Sequence, residues 1–286
     1  MTYYYWGRYD KAATADPAYA FPNRLEAIAA LNAAPASDAK APFLLGNLYY
    51  DKRQYDLAIA AWERSSILDP SFPTVWRNLA LAYYNKLHDP DKALAAMEKA
   101  FELDTTDSRV LMELDQLYKK LGRPHADRLR NLRKYPVQIA ERDDLILEEI
   151  TLLNQVGCYE EAKEKLDSHQ FHPWEGGEGK VPAQYQFARI ALAKEAMQQK
   201  CWDKAVRLLE ECLVYPHHLG EGKLYGAQEQ DFYYFLGCAH QGAGRTEQAI
   251  ACWEKAAEGD LQPANALYYN DAKPEKIYYQ GLALKA

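Results

Sequence analysis

Two copies of Gly-Glu-Gly-Lys, at 177–180 and 220–223, are the stretches of this chain most suited to binding chemistry. Each lies in a long connection, residues 170–182 and 215–230, and each follows a His beside a Pro (His172-Pro173, Pro216-His217). Glycines of this kind let a backbone approach a ligand or another segment closely. Trp174, Glu175, Glu178, Lys180, Glu221 and Lys223 add an aromatic surface and charges of both signs. Together they are a candidate ligand or partner site. The competing reading is structural: tight turns whose Glu and Lys pair with neighbouring helices. More specific chemistries fit less well. A phosphate loop needs Gly at 174 and Ser or Thr at 181, where this chain has Trp174 and Val181. Glu175 and Glu178 would serve as acid and base on a glycoside only at a separation that sequence proximity does not supply. His172, His217 and His218 lack the spacing of a metal site. No Ser-His-Asp motif or nucleotide fingerprint occurs. The chain is therefore read as a non-enzyme with no cofactor and no metal.

Bulk properties narrow the class of partner. The 286 residues carry a formal net charge of −7. Nucleic-acid binding needs concentrated Lys and Arg to displace counterions, so it is not expected. No apolar run reaches the ~18–20 residues that span a bilayer, and no secretory leader pattern opens the chain. The five cysteines, Cys158, Cys201, Cys212, Cys238 and Cys252, form no CxxC, and are read as reduced, small buried side chains in a cytoplasmic protein.

The elements that must carry these loops are repeated helix pairs. Leu45-Gly46-x₂-Tyr49 is followed by Ala58-x₃-Trp62 and Pro70; Trp76-x₂-Leu79-Ala80-x₂-Tyr83 by Ala93-x₃-Met97; Leu236-Gly237-x₂-His240 by Ala249-x₃-Trp253. Leu-to-Ala spacing of thirteen recurs at 45/58, 192/205 and 236/249. Such residues share one apolar face across two helices, with small residues where helices approach closely. Asp89 before Pro90 reads as a helix start, after a connection one residue longer than that of the first unit. The pattern resembles the tetratricopeptide repeat, a helix–turn–helix unit of about 34 residues. The resemblance implies an all-α protein, an α-solenoid winding into a right-handed superhelix. The chain divides into a partial repeat at 1–38, three repeats at 39–141, three more with the two insertions at 142–262, and a truncated repeat at 263–286. Both ends look cut, as in a piece of a longer protein.

In that family, set positions of each first helix line a concave groove. Carried over, they include Phe43, Asn47, Tyr50, Arg77, Asn78, Tyr84, Arg109 and Tyr234. Asn47, Asn78 and Arg109 match part of the carboxylate-clamp subfamily. Phe43 stands where its first Lys belongs, and Glu113 where its last basic residue belongs, so a chaperone clamp is rejected while the Asn pair is kept. An Asn amide can satisfy both the donor and the acceptor of a peptide. Tyrosines come in pairs, among them Tyr49-Tyr50, Tyr83-Tyr84, Tyr233-Tyr234, Tyr268-Tyr269 and Tyr278-Tyr279. In the first two pairs the leading ring is a core residue and the trailing ring faces the groove.

The strings DPAYAFPNRLEAI, FHPWEGGEGKV and LGEGKLYGAQE, with the first two repeats, also resemble the repeat region of large bacterial proteins. There the repeats follow an N-terminal β-rich domain of unknown function with a carbohydrate-related fold. Two functions are carried forward. One is an interaction scaffold for a peptide, a protein or the chain's own missing N-terminal domain. The other is a glycan or small-ligand module that uses groove aromatics and the GEGK loops.

Overall fold

The computed structural model describes residues 1–17, 20–264 and 273–286; the Tyr268-Tyr269 pair lies outside them. Among the described residues there are seventeen α-helices, one π-helical turn, one 3₁₀ turn and no strand. Two compact units are present, residues 1–124 and 125–286.

In the first unit, α1 (Thr2–Tyr5), α2 (Tyr9–Thr14) and α3 (Glu26–Asn32) precede the pairs α4 (Lys40–Asp51) with α5 (Tyr55–Leu68), and α6 (Pro73–Ala82) with α7 (Pro90–Leu103); α8 (Ser108–Lys120) follows. The second unit begins with α9 (His125–Leu132) and α10 (Pro136–Ala140). Three pairs follow: α11 (Asp143–Gln155) with α12 (Tyr159–Ser168), α13 (Lys180–Gln198) with α14 (Trp202–Cys212), and α15 (Gln230–Gly242) with α16 (Thr246–Ala257). The last helix, α17 (Pro274–Ala283), packs on α15 and α16.

One turn, used repeatedly, makes these pairs. A first helix ends, one residue takes φ between +53° and +84°, and the next residue starts the second helix. Gly7, Arg53, His88, Gly157, Lys200 and Gly244 occupy that position. The residue after it donates its N–H to a carbonyl five positions back: Gln54 to Tyr49 (2.8 Å), Cys158 to Leu153 (2.9 Å), Cys201 to Ala196 (2.8 Å), Arg245 to His240 (2.9 Å). This is a Schellman closure, which satisfies carbonyls that the helix end would leave bare. The connection at residues 84–90 has one residue more. It is taken up as a π turn over Tyr83–Leu87, so Asp89 N–H bonds six back, to Tyr83 O (3.0 Å). Asp89 then caps α7 by accepting from Lys92 N–H at 3.0 Å, as its place before Pro90 predicts.

In two of the pairs, α4 with α5 and α15 with α16, the helices are pressed together by Gly against Trp. A Cβ on Gly46 would overlap the Trp62 indole, and one on Gly237 would overlap Trp253. Each indole N–H reaches across to the partner helix, Trp62 to Phe43 O and Trp253 to Tyr234 O, both at 3.2 Å. Trp62 is 3% exposed. Tyrosines at the ends of first helices, the leading Tyr83 and the equivalent Tyr118, join successive units. Tyr83 OH donates to Glu63 (2.8 Å) and Tyr118 OH to Glu98 (2.8 Å), each a glutamate of the preceding second helix. In the second unit, buried Arg189 of α13 bonds Asp167 of α12 (2.5 Å) and Glu211 of α14 (2.7 Å), so both its charge and its donors are met.

The cysteines correct an expectation. Cys212 is buried, and burial pushes its thiol up to about 12. Cys158 and Cys201 are exposed, because they sit at the starts of second helices rather than inside the pairs.

Trp62→Ala should cost roughly 3–5 kcal/mol in chemical denaturation, as an emptied aromatic site does. Gly46→Ala should destabilise the native chain but cost little in the Trp62→Ala background, a coupling that a double-mutant cycle reads directly. Lys200→Gly should raise stability by up to about 1 kcal/mol. It relieves a left-handed residue whose strain is ~1–2 kcal/mol, set against the extra chain entropy of glycine.

Candidate functional site

The first helices of unit 1 carry a connected polar ladder. Trp62 Nε1 donates to Asn47 Oδ1 at 3.1 Å, and Asn78 Nδ2 donates to the same oxygen at 3.1 Å. An indole N–H can only donate, which fixes the orientation of the Asn47 amide and then that of Asn78. The Asn47 NH₂ group has no partner among the described residues, and Asn78 Oδ1 accepts only a long 3.4 Å bond from Arg77. Arg77 grips Glu113 through Nε (2.6 Å) and Nη2 (2.5 Å), with both side chains 18% exposed, and Arg109 joins the same carboxylate at 3.1 Å. The ladder therefore runs from α4 through α6 to α8.

Tyr50 and Tyr84 are half-buried. Tyr50 packs on Tyr55 (5.1 Å) and Trp62 (5.4 Å), with Lys86 Nζ 4.1 Å from the Tyr55 ring centre; Lys120 Nζ stands 5.0 Å from that of Tyr84. Phe43 is not a surface residue. It is 4% exposed and meets Phe72 edge-on at 4.9 Å, because Phe72, in the connection leading into α6, packs over this position. In unit 2, Tyr234 lies against Phe235 (5.4 Å) and Tyr279 (5.6 Å).

The two GEGK loops meet within unit 2. Phe171 N–H donates to His218 O (2.8 Å), and Gly179 N–H, at the start of α13, donates to Glu221 Oε2 (2.7 Å). Gly220 has φ +74°, and a Cβ there would lie 2.6 Å from Phe171 O, so glycine is required where the loops cross. Asp143 anchors the first loop. It accepts from His172 N–H at 2.7 Å and meets His169 Nε2 at 2.7 Å and His172 Nδ1 at 3.1 Å.

Between the loops lies a cleft of about 270 Å³ lined by Trp174, Glu175, Glu178 and Glu221 with Val181 and Leu219. Burial raises the Glu221 carboxyl above its usual range; the Gly179 N–H opposes this and the charge of Glu178 adds to it. Lys180 is exposed at the first turn of α13, and its ammonium group makes no hydrogen bond or ion pair among the described residues. Lys223 pairs instead with Glu229 (2.5 Å) and Leu213 O (3.0 Å), which gives this lysine the structural role. The meeting of carboxylates from two loops 43 residues apart was visible in the sequence only as repeated phase; the use of Lys223 was not visible.

Among the described residues no group of three or more His, Cys, Asp or Glu is placed to hold a metal ion. No helix of the described residues is long and apolar enough to cross a membrane.

Desolvation raises the Asp143 carboxyl, but the bonds from His169 and His172 outweigh it, and the net shift is downward from 3.8. A depressed carboxyl stabilises above its unfolded pKa, and that contribution is lost as pH falls through the folded value. Asp143→Asn should therefore lower the thermal midpoint at pH 7 and lose less of its remaining stability between about pH 5 and pH 3, which thermal scans across that range will show.

Comparison with known proteins agrees with this architecture. A family model for the TPR repeat matches residues 46–86, and a model for the tetratricopeptide repeat matches 73–107 and 230–260. Among solved structures, Naa15/Naa10 bound to HypK-THB is similar over 100% of this chain and 38% of that chain, at 12% identity and TM-score 0.54. YrrB, a TPR protein with an unusual peptide-binding site, is similar over 77% of this chain and 85% of its own at 15% identity and TM-score 0.41. A tetratricopeptide repeat protein from Parabacteroides merdae is similar over 99% and 95% at 14% identity and TM-score 0.43. The helix pairs within residues 46–107 and 230–260 are tetratricopeptide repeats, and the fold is an α-solenoid built from units of this kind.

Proposed function

We propose that this chain is a non-catalytic interaction module that docks an extended peptide segment of a protein partner on the first helices of residues 40–120. The observation that carries this reading is the Asn47–Asn78 amide pair. Its internal bonds leave the Asn47 NH₂ open, and the Asn78 oxygen on the adjacent first helix holds only a long bond from Arg77, with a second lone pair to offer. A peptide unit offers the complementary C=O and N–H. Tyr50 and Tyr84 flank the pair with half-buried rings, which add contact area at small entropic cost.

The charge layout argues against a carboxylate clamp, for a reason different from repulsion by Glu113. Glu113 is neutralised by Arg77, which spends two N–H groups on it, and Arg109 turns its Nε to the same carboxylate, so neither guanidinium is presented as a fork to a terminal carboxylate. Such a face reads main chain rather than a terminal charge. The segment it docks belongs to a separate protein or to a further domain of the same polypeptide.

Selection of binders from a random peptide library displayed on phage, followed by calorimetry, tests this. Asn78→Ala should weaken a selected peptide at least tenfold, about 1.4 kcal/mol, while the thermal midpoint shifts by only a few degrees. Failure to select any peptide, or equal binding by the variant, would show that the amide pair is only a bridge between helices.

A further inference from the structure

The cleft between the interlocked loops of unit 2 has a wall, a volume and one sign of charge. Trp174 is the wall, held by close packing on Gly177, where a Cβ would overlap the indole. Glu175, Glu178 and Glu221 supply the charge. Among the described residues, Glu178 receives only the Gly176 N–H (3.2 Å), Glu221 only the Gly179 N–H, and Glu175 makes no polar contact. The basic side chain in the lining, His172, is committed to Asp143.

These facts separate ligand classes. A phosphate or carboxylate would be repelled by three glutamates. A neutral sugar would stack on the indole but leave their charge uncompensated. An organic cation does both things at once: it pairs with the carboxylates and lies on the face of Trp174, the aromatic ring that holds cations best. We propose that this cleft binds an organic cation, an alkylammonium or guanidinium group carried by a protein side chain or by a free amine. The proposal is independent of the peptide-docking reading of residues 40–120.

Calorimetry on the whole chain tests it with three probes: agmatine, a capped Gly-Gly-Arg-Gly-Gly peptide, and methyl β-glucoside as the neutral control. Saturable binding of agmatine or the arginine peptide is expected, falling as salt rises. The tighter of the two identifies the source, free amine or protein side chain. Trp174→Leu and Glu178→Gln should each weaken the cation at least tenfold. Glu175→Gln, at an exposed side chain without partners, should weaken it several-fold and leave the melting temperature unchanged, so the test survives if either of the other variants misfolds. No saturable binding of either cation at millimolar concentration, equal binding by all three variants, or binding of the glucoside alone would overturn the proposal.

Discussion

The pressing of Gly46 against Trp62, and of Gly237 against Trp253, is the contact on which the remaining geometry depends. A helix pair with one bulky indole must leave space on the facing helix, and here only glycine leaves enough, since a Cβ would overlap the ring. The indole then reaches a carbonyl of that facing helix, so its one donor is met inside the interface. This fixes both separation and register within the pair. With register fixed, the outer face of α4 is fixed as well, and Asn47 is placed where it meets both Trp62 and Asn78. The same indole that packs the pair thus sets the orientation of the amide proposed to read a peptide.

Between helices, the left-handed turn residue has the corresponding role. Glycine supplies it at 7, 157 and 244, while Arg53, His88 and Lys200 adopt it at a conformational cost. The Schellman bond is common to nearly all of these turns, and the tertiary pressure of the pair is sufficient to hold a long side chain at positive φ. The π turn at 83–87 shows the same demand from another side. An extra residue is absorbed inside the helix end, and the cap at Asp89 is preserved. Geometry at the start of the second helix is conserved across the array at the expense of the end of the first.

Much of this was legible in the residues. The Leu–Gly–Tyr and Ala–Trp spacings define the helix pairs, and Asp89-Pro90 defines a helix start. The two GEGK stretches recur 43 residues apart, at the same phase of successive repeats, a spacing that puts equivalent loops of stacked units side by side, and Gly179 meets Glu221 there. What was not legible depends on partners distant in sequence. Phe43 reads as a groove residue by position, yet Phe72, from the next connection, covers it. Glu113 reads as a repulsive charge until Arg77, 36 residues earlier, is seen to grip it. Lys180 and Lys223 read as equivalent, but only Lys223 finds a carboxylate and a carbonyl at hand. Local pattern gives element and phase; charge pairing follows from which side chains the fold makes neighbours.

That distinction bears on how the two candidate surfaces differ. Along the first helices of unit 1, the charges have partners: Arg77 and Arg109 turn to Glu113, and Lys86 and Lys120 lie over tyrosine rings. What remains open is amide, hydroxyl and aromatic surface, which suits recognition by main-chain hydrogen bonds and shape. In the loop cleft of unit 2 the reverse holds. Backbone N–H groups meet part of the need of Glu178 and Glu221, and among the described residues no cationic side chain pairs with them. Burial of Glu221 in this half-enclosed space disfavours its charge, and the neighbouring charge of Glu178 adds to the same upward shift. A fold that has used salt bridges freely elsewhere, at Arg189 and again at Arg128 with Glu148, could have met those carboxylates with Lys180 or Lys223. The lysines stand in the same loops yet leave the carboxylates open, so the uncompensated charge is a property of how the loops cross and not of a shortage of cations nearby.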